Sequence, residues 1–241
     1  MDNIVVYTAL FTDNPKIIFG LLPEYQVPGV KFICYTNSPY LKSNCWDIRR
    51  VELEDGMSPR EMARKYKLLP HRFLSDYDIS VWVDGNFLIK DNLNQLVEEH
   101  LSDCNMAFHD HNQCILDPRD CVYDEGNAIL WLGKNDPNNK YKDNPNLVIK
   151  QLNKYNDEGY PQHNGLIVSG VLLRKHNKSD IIETMELWWE ELKYNSKRDQ
   201  LSFNYSAWKT NLKFSYINGD IRDNKYFHLL SHNHQKNKVI Q

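Results

Sequence analysis

The sequence predicts an α/β protein with a mostly parallel central sheet flanked by helices, in a single domain. Three observations predict it. Short β-branched apolar runs alternate with longer stretches of helical periodicity. The runs close on polar turn residues. No internal repeat or low-complexity linker divides the 241 residues, a length that suits one large domain better than two.

The elements follow in order. "IVVYTA" at 4–9 is a buried strand, "VKFICYT" at 30–36 a second and "WDIRRVE" at 46–52 a third. "SPREMARKYKLLPHRFL" begins with Ser58 as N-cap and Pro59 at the first helical position. Glu61 completes a capping box with Ser58, and Pro70 bends or ends the helix. Residues 78–84 form the next strand, "NLNQLVEEHL" a helix and "MAFHDH" a strand. "CVYDEGNAILWLGKN" is helical, and "NLVIKQLNKYNDEG" is a helix closed by Gly159. "GLIVSGVLLRK" is a strand pair or one bent strand. "SDIIETMELWWEELKYNS" is an amphipathic helix with Ser179 or Asp180 as its cap, and "RDQLSFNYSAWKTN" a further helix. The polar insertion at 134–146 reads as a surface loop.

Composition narrows the function. A formal net charge of -3, from 29 basic and 32 acidic residues, supplies no basic field for nucleic acid. Five cysteines with no C-x-x-C pair argue against a zinc knuckle or a disulfide framework, and for reduced thiols in a cytoplasmic protein. Cys114 and Cys121 are a candidate disulfide pair, set against reduced thiols as the simpler reading. Asp2 stands where a signal peptide carries positive charge, and no run approaches the ~20 apolar residues of a transmembrane segment.

In open α/β sheets ligands bind beyond the carboxyl ends of the strands. Four polar clusters fall there: Thr8–Asn14, Tyr35–Asn37, Asp84–Asn86 and His109–His111. In "WVDGN", Asp84 and the amide of Asn86 can coordinate a hard cation, and Gly85 admits a ligand close to the backbone. The same tripeptide is good β-turn chemistry. Arg64 and Lys67 are three residues apart and share a helix face, suited to phosphate or simply solvated. Asp199, in "SKRDQLSF", is a helix cap or a general base. Asp124 and Glu125 open a helix, where the dipole favours them, or grip sugar hydroxyls. His163 lies in a turn-rich stretch, and His228, His232 and His234 crowd the C-terminus.

Singly, each cluster is explained by ordinary structure. In order, the blocks "VVYTALF", "RKYKLLPHRFLSDYDISVWVDGNFLI", "FHDHNQCILDPRDCVYDEGNA", "QLNKYNDEGYPQHNGLIVSGVLLRKHN" and "WWEELKYNSKRDQLSFNYSAW" resemble a glycosyltransferase-like family. That family was long known only as a domain of unknown function. It includes plant proteins of turgor regulation and seed mucilage, with bacterial and viral relatives. The resemblance covers roughly residues 4–210 and implies a GT-A-like fold, with a nucleotide-binding part at about 1–110 and an acceptor-side part at about 111–241. It implies a nucleoside-diphosphate sugar donor, UDP-sugar favoured, a glycan or other hydroxyl acceptor, and Mn²⁺ or Mg²⁺. Asp84 matches the first Asp of the family's Asp-x-Asp motif, Asn86 replaces the second, and His232 stands for a C-terminal metal ligand. Tyr7, Thr8, Ala9, Thr36 and Asn37 are expected near the base. Arg64 and Lys67 are expected at the diphosphate, and His163, Glu125 and Asp199 toward the sugar and acceptor, with Asp199 as base. The alternative is a non-catalytic nucleotide-sugar or glycan-binding protein on the same fold, which the neutral Asn86 favours.

Overall fold

A computed structural model describes residues 3–14, 17–18, 27, 29–230 and 238–239. In chain order the elements are β1 (Ile4–Leu10), β2 (Ile17–Ile18), β3 (Lys31–Thr36), β4 (Asp47–Arg50), α1 (Pro59–Leu68), β5 (Ile79–Val83), β6 (Phe87–Ile89), α2 (Leu93–His100), β7 (Met106–Asp110), α3 (Val122–Lys134), α4 (Pro145–Asp157), β8 (Ile167–Arg174), α5 (Ser179–Tyr194), α6 (Gln200–Thr210), β9 (Ser215–Ile217), β10 (Phe227–Leu229) and β11 (Lys238–Val239).

The central sheet has seven strands in the order β4-β3-β1-β5-β8-β7-β9. Its pairings are parallel except the two made by β8, which runs antiparallel to both β5 and β7. The mostly parallel sheet expected from the sequence is therefore present, and "GLIVSGVLLRK" is one strand. Because β8 alone is reversed, its first residues lie at the same edge of the sheet as the carboxyl ends of β5 and β7. The β7–β8 register slips there: Phe108 faces Leu172, whereas His109 faces Val168. Such bulges re-aim backbone and side chains beside functional sites.

Strand alternation divides the core between two faces. Val6, Cys34, Val81 and Leu173 pack with α2 residues Leu93 and Leu96 on one side. Tyr7, Ile33, Trp82 and Leu172 pack with α1 and α5 residues Met62, Met185 and Trp188 on the other. A third, smaller core joins α3, α4 and α6 through Ile129, Leu152, Tyr155 and Tyr205.

Local chemistry sets the helix ends. The Ser58–Glu61 capping box forms in both directions, and the helix stops at Leu68 ahead of a short 3-10 turn at Pro70–Arg72. Gly159 takes φ +77° after α4, the left-handed turn a glycine accepts without strain. The start of α5 departs from expectation. Lys178 occupies its cap without a side-chain bond, and Asp180 instead accepts from the amide of Asn105. All five cysteines are free thiols.

Candidate active site

A cavity of about 290 Å³ opens at the carboxyl edge of the sheet, between the end of β5, the bulged start of β8 and the start of α6. Arg64, Asp84, Asn86, Gly170, Arg198 and Asp199 are among its walls. A second concavity, bounded by Asp78, Lys175 and Asn177, lies at the opposite end of β5 and gathers no comparable set of charges.

Asp84 leaves β5 into a turn. Its N–H donates to the carbonyl of Gly170 (2.9 Å), and its own carbonyl accepts from Phe87 (3.0 Å). The turn expected of "DGN" is therefore present. The Asp84 Oδ1 accepts from the Trp82 indole at 2.8 Å and lies 3.5 Å from Lys67 Nζ. Among the described residues no hydrogen bond or ion pair engages Oδ2, and the side chain is 38% exposed. The side-chain Nδ2 of Asn86 donates to the Leu230 carbonyl at 3.3 Å, and the main-chain carbonyl of Asn86 accepts from Leu230 N–H. That contact fixes the amide so that its Oδ1 is left for another partner.

Behind this turn sits a buried ion cluster. Lys67 is fully buried, its Nζ 2.7 Å from Asp199 Oδ2. Arg64, one helical turn earlier on α1, reaches the same oxygen at 3.2 Å. Asp199 is the N-cap of α6 and accepts from Gln200 N–H. Burial pushes its carboxyl up, but Arg64 and Lys67 outweigh that and hold it well below the usual carboxylate range.

The wider network is balanced. Arg222 lies on Asp117 and Asp220, and Arg119 on Glu125 at 2.7 Å. Arg198 has Glu125 at 4.0 Å. Five cations, Lys67 and the four arginines, face five carboxylates. His111 is buried, and that burial lowers its pKa. Buried donors without protein acceptors also occur on cavity-lining residues: Nε of Arg64, Nε of Arg198 and Nε2 of Gln200. They favour an oxygen-rich occupant.

Several expected site residues lie elsewhere. Tyr7 does not face a base. It is wholly buried against Trp82, and its hydroxyl donates to the Lys67 carbonyl and pairs with buried Arg174. Thr8 and Ala9 are buried in the same strand, and Thr8 Oγ1 has no hydrogen-bond partner among the described residues. Thr36 Oγ1 accepts from Ser38 N–H, while Asn37 ties two loops together through the backbone of Thr12. Gly85 lies in the turn. Glu125 stands behind the cavity wall, on Arg119. His163 is exposed, bonded to Asp120 at 2.8 Å, and does not line the cavity. His232 lies outside the described residues. The sequence reading missed Arg198, Gln200 and Arg222 as wall residues. The first two flank Asp199 in "KRDQL", a signal that was visible; Arg222 carried none.

The chain belongs to the TOD1/MUCI70 family, whose model, described as a glycosyltransferase-like domain, matches residues 41–234. No curated protein matches the chain in sequence. Among solved structures it is similar to the bifunctional glycosyltransferase WbbM in its apo form, with TM-score 0.45 and 11% identity over 90% of this chain and 38% of that one. It is also similar to the galactosyltransferase LgtC in complex with donor and acceptor sugar analogs, with TM-score 0.42 and 13% identity over 83% of this chain and 69% of that one. The chain thus spans well under half the length of the first of these. No helix among the described residues is long and apolar enough to cross a membrane.

Proposed function

We propose that this chain is a GT-A-type glycosyltransferase that moves a sugar from a nucleoside-diphosphate sugar, UDP-sugar favoured, to a hydroxyl of a glycan or other acceptor. The observation that carries this reading is the meeting of Asp84, Arg64 and Asp199 around one cavity at the carboxyl edge of the sheet, with buried Lys67 bridging Asp84 and Asp199 behind it. Strand-end cavities of this kind are where α/β sheets take nucleotides.

The balanced charge of the network bears on the metal. Among the described residues a diphosphate arriving there meets no surplus of protein cations, which favours a positive partner that travels with it. Mg²⁺ and Mn²⁺ sites commonly use one or two carboxylates and complete their shell with phosphate oxygens and water. Asp84 Oδ2 and Asn86 Oδ1 fit that donor set, and these two residues would hold the ion. The ion supplies charge stabilisation for the departing diphosphate.

The remaining roles fall to the chain itself. Lys67 fixes the Asp84 carboxylate from behind, and Trp82 fixes it from the side. Asp199 fits poorly as a general base, because two cations occupy its carboxylate and lower its proton affinity. In this reading it orients Lys67 and Arg64. The donors of Arg198 and Gln200 take oxygens of the occupant.

The test is a thermal-shift screen of UDP, GDP, CMP and dTDP sugars, each with Mn²⁺ and with EDTA. Ligands that bind only the folded state raise the melting temperature by mass action. A Mn²⁺-dependent shift with one nucleotide class, absent in Asp84→Ala, is expected. Binding without turnover of any donor favours the non-catalytic alternative, to which the neutral Asn86 points.

A further inference from the structure

His163 and the start of α3, left outside the cavity, share a different chemistry. Cys121, Asp124 and His163 each offer a ligand atom, and these atoms lie within 4.8 Å of one another. Cys121 is the N-cap of α3, 1% exposed, and its sulfur makes no hydrogen bond among the described residues. It is a buried polar atom facing an imidazole and a carboxylate with no partner of its own. His163 comes from the turn before β8 and is held at φ +53°, with its Nδ1 on Asp120 at 2.8 Å. No ion pair joins Asp120 or Asp124 to a lysine or arginine among the described residues, so the cluster is electrostatically open to a cation.

We propose that Cys121, Asp124 and His163 form a zinc site, independent of the transferase cavity. Thiolate, imidazole and carboxylate together select a borderline metal over Mg²⁺ or Mn²⁺. Bonds of about 2.0–2.3 Å in a tetrahedron put neighbouring ligand atoms roughly 3.5 Å apart, so side-chain rotation closes the present spacing. Asp120 on the imidazole is the carboxylate–histidine pairing that orients zinc-bound histidines and sharpens their basicity. The helix N-terminus opposes a cation only weakly and favours the thiolate that must form. Binding releases the Cys121 thiol proton to solvent. The fourth position falls to water. A metal here staples the loop before α3 to the turn before β8.

A second trio, His111, Cys114 and Asp117, has comparable spacing but is occupied. Arg222 and Arg119 lie on Asp117, and Arg119 faces His111 at 3.4 Å. Two guanidinium groups at that point repel a divalent ion.

The test uses the full chain, stripped with chelator and titrated with Zn²⁺ alone against a chromophoric competitor, and with Co²⁺ by absorption. One tightly held equivalent and a thiolate-to-cobalt charge-transfer band are expected. Both are lost in Cys121→Ser and in His163→Asn, the latter chosen because Asn tolerates positive φ and the residue is exposed. Asp120→Asn weakens binding by about 10- to 100-fold, and Asp84→Ala leaves the band in place. Absence of the band in the wild type, or zinc affinity in His163→Asn equal to wild type, overturns the site.

Discussion

Replacing Lys67 with Met tests the buried ion cluster directly. Methionine keeps the length and most of the volume of the side chain but removes its charge. Lys67 is fully buried and touches two carboxylates, at 2.7 and 3.5 Å. Removing one member of a buried pair typically costs 3–5 kcal/mol, because the partner charge is left without water or counter-ion. Here Asp199 keeps Arg64 at 3.2 Å, and Asp84 is partly solvated. The cost therefore sits at the lower end, about 3 kcal/mol. For a domain of this size each kcal/mol moves the melting temperature by about 2–4 °C, so the expected drop is roughly 6–12 °C. Calorimetry and urea unfolding of Lys67→Met, Asp199→Asn and the double variant close a double-mutant cycle. The two effects are expected to overlap by at least about 1 kcal/mol. A Lys67→Met protein that melts within a degree of wild type, or strictly additive effects in the cycle, would falsify the cluster as drawn.

Other outcomes follow from the same geometry. Asp199 has a folded-state pKa held below its unfolded value of about 3.9, so its stabilisation is present above that pH and lost as pH falls through the lower folded value; urea midpoints below pH 4 should fall less steeply in Asp199→Asn than in wild type. His109 is buried and its pKa is pushed down to about 4, so the stability gained by keeping it neutral is complete above about pH 6.5 and is lost as pH falls toward 4, by about 3 kcal/mol; an NMR titration showing His109 near 6.5 would contradict this. A Cβ on Gly170 would stand 2.8 Å from the ring of Phe87, so Gly170→Ala displaces that ring beside the Asp84 turn and costs about 1–3 kcal/mol, read from urea unfolding.

Much of this was legible in the sequence, for local reasons. The Ser58 capping box, the stop before Pro70 and the strand ending on Asp84 are set by residues adjacent in the chain. The three-residue spacing of Arg64 and Lys67 correctly placed both on one face of α1. What they face was not legible, because Asp199 is more than a hundred residues away. Tyr7 shows a second limit. In a strand buried on both faces nearly every position is apolar, so the pattern does not say which side chain turns toward a ligand and which toward the opposite core. His163 shows a third: its turn-rich surroundings were plain, but its neighbours at Asp120 and Cys121 come from another segment.

The lone reversed strand has a consequence for biosynthesis. β5 acquires β8 as its second neighbour, and β8 begins 84 residues after β5 ends. At roughly 5–20 residues per second, a translating ribosome leaves that edge of β5 unpaired for roughly 4–17 s. During that interval Trp82 and Val83 present strand backbone that any other chain can pair with. The turn bearing Asp84 also lacks the Gly170 carbonyl that fixes its N–H. The candidate active site is therefore assembled late, when β8 slots into the gap. Chains arrested before residue 167 should be chaperone clients rather than partly active proteins.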